Sequence, residues 1–301
     1  MVSMEVKHVS FACSLCPRQC NALRTENSNP NGYCGMPAQP IAARAALHFG
    51  EEPCISGTRG SGTVFFSGCS LGCVFCQNDP ISHRRQGQPV TENRLAAIFR
   101  ELEEAGAHNI NLVNPTHYAV SIRKALELYR PKVPVVYNSS GYERVETLKM
   151  LDGVVDVYLP DCKYVDPSLA KALSDASDYF EYAQSAITEM VRQTGPVQLD
   201  NDGIIRSGTI VRHLVLPGHT KNSMAVLDWL ATVPNIWISL MFQYTPYGDL
   251  SQHKELQRTL TQRECDKVWQ YMNDLGITDG YIQDRKSSGT NMIPEFDLTG
   301  L

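Results

Sequence analysis

From residue 57 onward, short apolar runs alternate with longer segments whose apolar residues recur every three to four positions. "GSGTVFFSG" (60–68) is apolar and bounded by glycines, as a buried strand is. "TENRLAAIFRELEEAG" (91–106) opens on Thr91, puts Leu95, Ile98, Phe99 and Leu102 on one helical face, and closes with Gly106 as a cap. The alternation continues. "HNINLVN", "VPVVYNSSG", "VVDVYLPD", "IVRHLVLPG" and "IWISLMFQY" read as strands. "YAVSIRKALELYRP", "ERVETLKMLDG", "SMAVLDWLATVP" and "TQRECDKVWQYMNDLG" read as helices, and 167–194 as a helical region that breaks near Ser174 to Ser177. "LDNDGIIRSG" reads as a turn or short excursion.

Six strands separated by helices predict an α/β fold with a parallel sheet and right-handed crossovers. The strands lack a polar face, which fits burial on both sides. An open doubly wound sheet and an incomplete barrel both satisfy this pattern, and both place chemistry at the carboxyl ends of the strands. The unusual polar residues lie there: "SGCSLGC", "NPTH", "NSSG", "PDCK", "PGH" and "QYTPYG". Residues 1–56 differ. They are rich in Cys, Pro, Asn and Gly, and only "IAARAALHFG" suggests a short strand or helix. The expected division is a Cys-rich metal-binding extension (1–56), a core (57–245), and a C-terminal helix and tail packing on the core (246–301).

Charge narrows the partners. With 27 basic against 32 acidic residues, the net charge of −5 gives no global reason to expect nucleic-acid or membrane binding. No apolar run reaches the roughly 18 residues a transmembrane helix needs. Glu5, Lys7 and His8 stand where a signal peptide would be apolar, so a cytoplasmic location is expected.

Ten cysteines then need a role in a reducing compartment, where clustered thiols mean metal or catalysis. Cys54, Cys162 and Cys265 are isolated and read as small apolar residues. Cys69, Cys73 and Cys76 sit on one loop with Gly68 and Gly72. Three thiolates can hold a [4Fe–4S] cube and leave one iron free for a substrate or cofactor. The alternative is a zinc loop completed by a distant histidine such as His83. Cys13, Cys16, Cys20 and Cys34 supply four thiolates, which close a site. They point to structural zinc or to an auxiliary [4Fe–4S] cluster.

Cys-x3-Cys-x2-Cys after the first strand, with Phe75 before the last cysteine, resembles the radical S-adenosylmethionine (SAM) superfamily. "CSLCPRQC…GYCG", "GSGTVFFSGCSLGCVFCQN", "NPTHY", "VVYNSSGYE", "YLPDCKY", "VRHLVLPG" and "IPEFDLTG" resemble its pyruvate formate-lyase activating enzyme-like branch over nearly the whole chain. The resemblance implies a partial (β/α)6 TIM-type barrel and an oxidoreductase. It implies a [4Fe–4S] cluster on Cys69, Cys73 and Cys76 whose open iron chelates SAM. Reductive cleavage of SAM then gives a 5′-deoxyadenosyl radical that abstracts hydrogen. Asn114 and Pro115 match the strand end whose backbone meets the SAM amino group. Asn138, Ser139, Asp161 and Lys163 match the positions that bind the SAM carboxylate side and a monovalent cation. Gln243 and Tyr244 match a contact to adenosine or SAM. An electron donor such as flavodoxin or ferredoxin is implied, and the substrate is a partner protein's glycine, a peptide or a small molecule.

Other residues stay open. His117 is a helix cap or a catalytic group. Arg212 and His213 are adjacent on a strand, so at most one faces the barrel interior. "PTHY", "FQYTPYG" and "GYIQDR" line a substrate pocket or pack in the core. The rival functions are a non-catalytic zinc-binding module and an iron–sulfur electron carrier.

Overall fold

A computed structural model describes residues 11–28, 31–283 and 294–301. Glu5, Lys7 and His8 lie outside the described residues, as do Asp284 and Arg285 of "GYIQDR" and Ile293 of the terminal motif.

Two short strands, β1 (Phe11–Ala12) and β2 (Leu23–Arg24), pair antiparallel in the extension. The main sheet contains β3 (Ile41–His48), β4 (Ser61–Phe66), β5 (Gln88–Pro89), β6 (Ile110–Val113), β7 (Val135–Ser139), β8 (Val157–Pro160), β9 (Gln198–Leu199), β10 (Ile205–Leu214), β11 (Ile236–Met241) and β12 (Gly280–Gln283). Its order is β12-β11-β10-β8-β7-β6-β4-β3-β5, with β9 pairing β10. The run from β4 to β12 is parallel throughout, and β3 and β5 add on antiparallel beyond β4. This is a partial barrel of the expected kind, and the sheet is not closed.

The helices are α1 (Pro53–Ser56), α2 (Asp79–Ser82), α3 (Glu92–Glu104), α4 (Ala119–Leu128), α5 (Val145–Lys149), α6 (Pro167–Ser174), α7 (Tyr179–Thr194), α8 (Thr220–Leu230) and α9 (Gln262–Asp274). Their boundaries follow local chemistry. The Thr91 side chain accepts from Arg94 N and starts α3, whose Leu95, Ile98, Phe99 and Leu102 are all buried. Each such side chain contributes about 1.5–3 kcal/mol of burial. The predicted break falls between α6 and α7, where Asp175 takes a left-handed conformation (φ 49°). Thr261 and Glu264 form a reciprocal capping box at α9.

Three features differ from the sequence reading or resolve it. "IAARAALH" is a strand: pairing with β4 overrides the helix preference of its alanines, and Ala42, Ala43 and Ala45 are buried. The C-terminal tail binds its other side, through Leu298 N to Ala43 O (3.0 Å) and Ala45 N to Thr299 O (2.8 Å). The strand predicted at 210 begins at Ile205, inside the expected excursion. A seventh parallel strand, β12, extends the sheet beyond the six expected. It is four residues long and opens on a glycine, too short to show a period.

Candidate active site

The carboxyl ends of the parallel strands surround a cavity of about 530 Å³. The loop after β4 forms one wall. Gly68 has φ +83°, and a Cβ there would lie 2.1 Å from Met36 Cγ, so only glycine fits the turn. Cys69, Cys73 and Cys76 all line the cavity. Each sulfur accepts a hydrogen bond: Cys69 from Leu71 N (3.3 Å), Cys73 from Ser174 Oγ (3.1 Å) and Cys76 from Ser82 Oγ (3.3 Å). Donors aimed at sulfur suit thiolate ligands of an iron–sulfur cluster. Burial pushes the Cys76 thiol up to about 12, and raises Cys69 and Cys73 as well. Thiols buried like this ionise only with a positive partner, which a cluster supplies. Among the described residues, no three His, Cys, Asp or Glu side chains are drawn together as ligands of a single ion.

The same cavity is lined by a buried charge network. Arg212 reaches Asp161 Oδ1 (3.1 Å), Glu51 Oε2 (3.2 Å) and Asn138 Oδ1 (2.6 Å). Lys163 Nζ is 2.6 Å from Asp161 Oδ2. Glu51 Oε1 also accepts from Asn111 and Asn138, each at 3.1 Å. Burial alone would raise the Asp161 carboxyl, but Lys163 and Arg212 outweigh it and hold the group below its usual range. Asp161 in turn raises Lys163 against the opposing effect of burial.

Of the residues singled out on the sequence, Asn114, Asn138, Ser139, Asp161, Lys163, Gln243 and Tyr244 line this cavity. Asn114 is left-handed (φ 58°), and its side chain donates to Gly68 O, so it ties the cluster loop to the end of β6. Pro115 is buried and does not line the cavity. Neither does His117. Its Nε2 donates to Ser67 O (2.7 Å), and burial drives its pKa down to about 3, so it stays neutral. Alternation separates Arg212 from His213, which is fully buried between Cys162 O (2.6 Å) and Ser223 Oγ (2.9 Å). His83 faces Asp79 (3.1 Å) and lies outside the cavity lining. From the three aromatic pieces, Gln243, Tyr244, Thr245, Tyr281, Ile282 and Gln283 reach the cavity, while Tyr118 is core.

The sequence reading missed Glu51 and Glu52. "EEP" in a loop-rich extension looks like a solvated turn, and only the tertiary path of the chain buries it in the barrel mouth.

The second cysteine set lies in the extension. Cys13, Cys16 and Cys34 are buried and Cys20 is exposed. Burial pushes Cys16 up to about 12, with Cys34 and Cys13 adding to the effect. Arg18, from the same loop, donates to Ser70 O (2.9 Å), Leu71 O (3.2 Å), Ser174 O (2.9 Å) and Asp175 O, and stacks 3.9 Å from the Tyr33 ring centroid. It clamps the extension onto the cluster loop and the end of α6 at once. Arg18→Ala is expected to speed proteolytic nicking within residues 13–34 several-fold and to lower iron retained per chain. Timed digestion and iron assay check this; an unchanged digestion pattern would count against the clamp.

Residues 63–230 match the family model of the radical SAM superfamily, more than half of the chain. The chain belongs to the radical SAM superfamily. Membership makes it a SAM-cleaving radical enzyme and implies a [4Fe–4S] cluster and SAM. It is 29% identical over 272 residues to the uncharacterized protein MJ0674 of Methanocaldococcus jannaschii, covering 87% of this chain and 74% of that one. Among solved structures, it resembles Streptococcus suis SuiB bound to precursor peptide SuiA (TM-score 0.53, 12% identity, 72% of this chain and 46% of that chain). It also matches a domain of pyruvate-formate lyase-activating enzyme from Bacteroides vulgatus (TM-score 0.40, 16% identity, 56% and 91%). Among the described residues, no helix is long and apolar enough to cross a membrane.

Proposed function

We propose that Cys69, Cys73 and Cys76 hold the [4Fe–4S] cluster and that the adjoining cavity holds SAM and the substrate, in the manner of the activating-enzyme-like branch. The observation that carries this reading is that three cysteine sulfurs, each with its own hydrogen-bond donor, line one cavity with the Lys163–Asp161–Arg212 network. When bound, the cluster and SAM supply reductive SAM cleavage and hydrogen abstraction. The chain's own task is to orient and enclose. Lys163 offers its ammonium to the SAM carboxylate, while Asp161 fixes where that ammonium points. Asn114 holds the cluster loop against β6, and Asn138 and Ser139 border the same wall. The oxygens of Asp161 and Asn138 also accept from Arg212, so the monovalent cation that the resemblance implies would share these acceptors with the guanidinium.

We also propose that the extension's four cysteines close around a bound metal, zinc or a second cluster, and that Arg18 couples this site to the first. The substrate is a partner protein's glycine, a peptide or a small molecule, and the electron comes from a flavodoxin- or ferredoxin-type donor in the cytoplasm.

The test is anaerobic reconstitution with iron and sulfide, reduction with dithionite and addition of SAM. The expected result is 5′-deoxyadenosine together with a cluster signal that SAM perturbs. Zinc in both sites would favour a non-catalytic module. A cluster signal indifferent to SAM, with no 5′-deoxyadenosine from a fully loaded sample, would favour an electron carrier.

A further inference from the structure

Glu52 is buried at 1% exposure on the cavity lining, yet its Oε2 has no hydrogen-bond partner. Its Oε1 accepts from Gln283 Nε2 at 3.4 Å, a nitrogen that also lies 3.4 Å from Ser239 Oγ. Gln283 Oε1 accepts in turn from Gln243 Nε2. In the structure Gln283 presents its nitrogen to the Glu52 carboxyl and its oxygen to Gln243. Gln243 Oε1 is therefore left over, and it too is buried without a partner. Two orphaned acceptors on one cavity wall are costly unless a ligand brings donors.

The charge balance says which donors. Among the described lining residues, the carboxylates are Glu51, Glu52 and Asp161, and the cations are Lys163 and Arg212. Both cations are already engaged with Glu51 and Asp161. His48 also lines the cavity, and burial, with Arg44 adding to it, lowers its pKa. Among the described residues Glu52 makes no ion pair of its own: burial, with Glu51 adding to it, holds its carboxyl above the usual range against the opposing charge of Arg212, which is shared with Glu51 and Asp161. The cavity lining also carries apolar residues: Phe49 and Ile282, 61% and 46% exposed, with Phe65 and Tyr281.

We propose that Glu52 Oε2 and Gln243 Oε1 form a substrate subsite for a primary ammonium at the end of a short aliphatic chain, the apolar residues packing along that chain. This inference rests on the proposed function, whose substrate it narrows to one carrying such a group. The group is shared by a lysine side chain in a peptide and by a free alkylamine.

The test uses reconstituted holoenzyme with SAM present, and reads binding by ligand-observed NMR. The probes are n-butylammonium, 1-butanol and butyrate, equal in length and different in charge. The expected result is that n-butylammonium binds at least tenfold more tightly than either analogue, and that Glu52→Gln removes this preference. Gln243→Leu, which deletes the second acceptor, is expected to weaken the cation several-fold and carries the test if Glu52→Gln folds poorly. Nα-acetyl-lysine N-methylamide distinguishes the sources: tighter binding than n-butylammonium assigns a peptide, and equal binding a free amine. Affinities within twofold across the three charges would overturn the inference. So would unchanged binding in Glu52→Gln, or displacement of the cation by rising SAM. Because the readout is binding, absence of 5′-deoxyadenosine in the earlier assay sinks the radical reading without deciding this one.

Discussion

Cys73→Ala is expected to lower 5′-deoxyadenosine formation at least a thousandfold, to background, with loss of most cluster iron. Cys73 is the most deeply placed of the three cavity sulfurs, at 7% exposure, and takes its hydrogen bond from Ser174, whose hydroxyl also meets Tyr164 (2.8 Å). Alanine removes a ligand that no neighbouring group replaces, since a hydroxyl on a packed helix end cannot move to substitute for a thiolate. It also removes the acceptor of the Ser174 hydroxyl, which keeps Tyr164 as a partner, and leaves a small void in the loop packing. A loss of activity through misfolding must therefore be separated from a loss of the ligand. Cys162→Ala is the matched control: Cys162 is fully buried in the core and does not line this cavity. It is expected to lose some stability while keeping iron and SAM cleavage. Full activity in Cys73→Ala, measured by chromatography of 5′-deoxyadenosine, would sink the assignment of the cluster.

The parallel sheet was legible because each strand is a continuous apolar run and each helix has an apolar stripe and a cap. The cysteines were legible because a ligand loop is local: three residues within eight positions report the site without any tertiary knowledge. The charge network is assembled otherwise. Asp161 and Arg212 are 51 residues apart, and Arg212 and Glu51 are 161 apart. Such pairs leave no local period. Strand alternation could say that at most one of Arg212 and His213 faces inward, and the structure puts Arg212 on the cavity lining. Nothing in "HFGEEP" says that the segment enters the barrel mouth, because its direction is set by β3 pairing antiparallel to β4. β12 escaped for a related reason, since its only strand partner among the described residues is β11.

Arg212→Met is expected to destabilise the fold by about 3–5 kcal/mol, the usual cost of removing one partner from a buried ion network. Arg212 lies between carboxylates from two distant segments, and the three side chains are only 15%, 10% and 14% exposed for Arg212, Glu51 and Asp161. Asp161 keeps Lys163, so its charge stays compensated. Glu51 keeps only the amide donors of Asn111 and Asn138, and stands beside Glu52 with no cation between them. The like-charge pair, more than the lost Asp161 contact, is thus the source of the cost. The double variant Arg212→Met with Glu51→Gln is accordingly expected to recover much of the loss, because it removes the stranded charge while keeping the side chain's shape. Urea unfolding followed by circular dichroism reads both. A single-variant loss below about 1 kcal/mol would place the network in the range of exposed ion pairs and remove Arg212 as the organiser of this wall. Recovery in the double variant without recovery of SAM cleavage would separate the two roles of the guanidinium: holding Glu51 inside the fold, and supplying positive charge between Asp161 and Asn138.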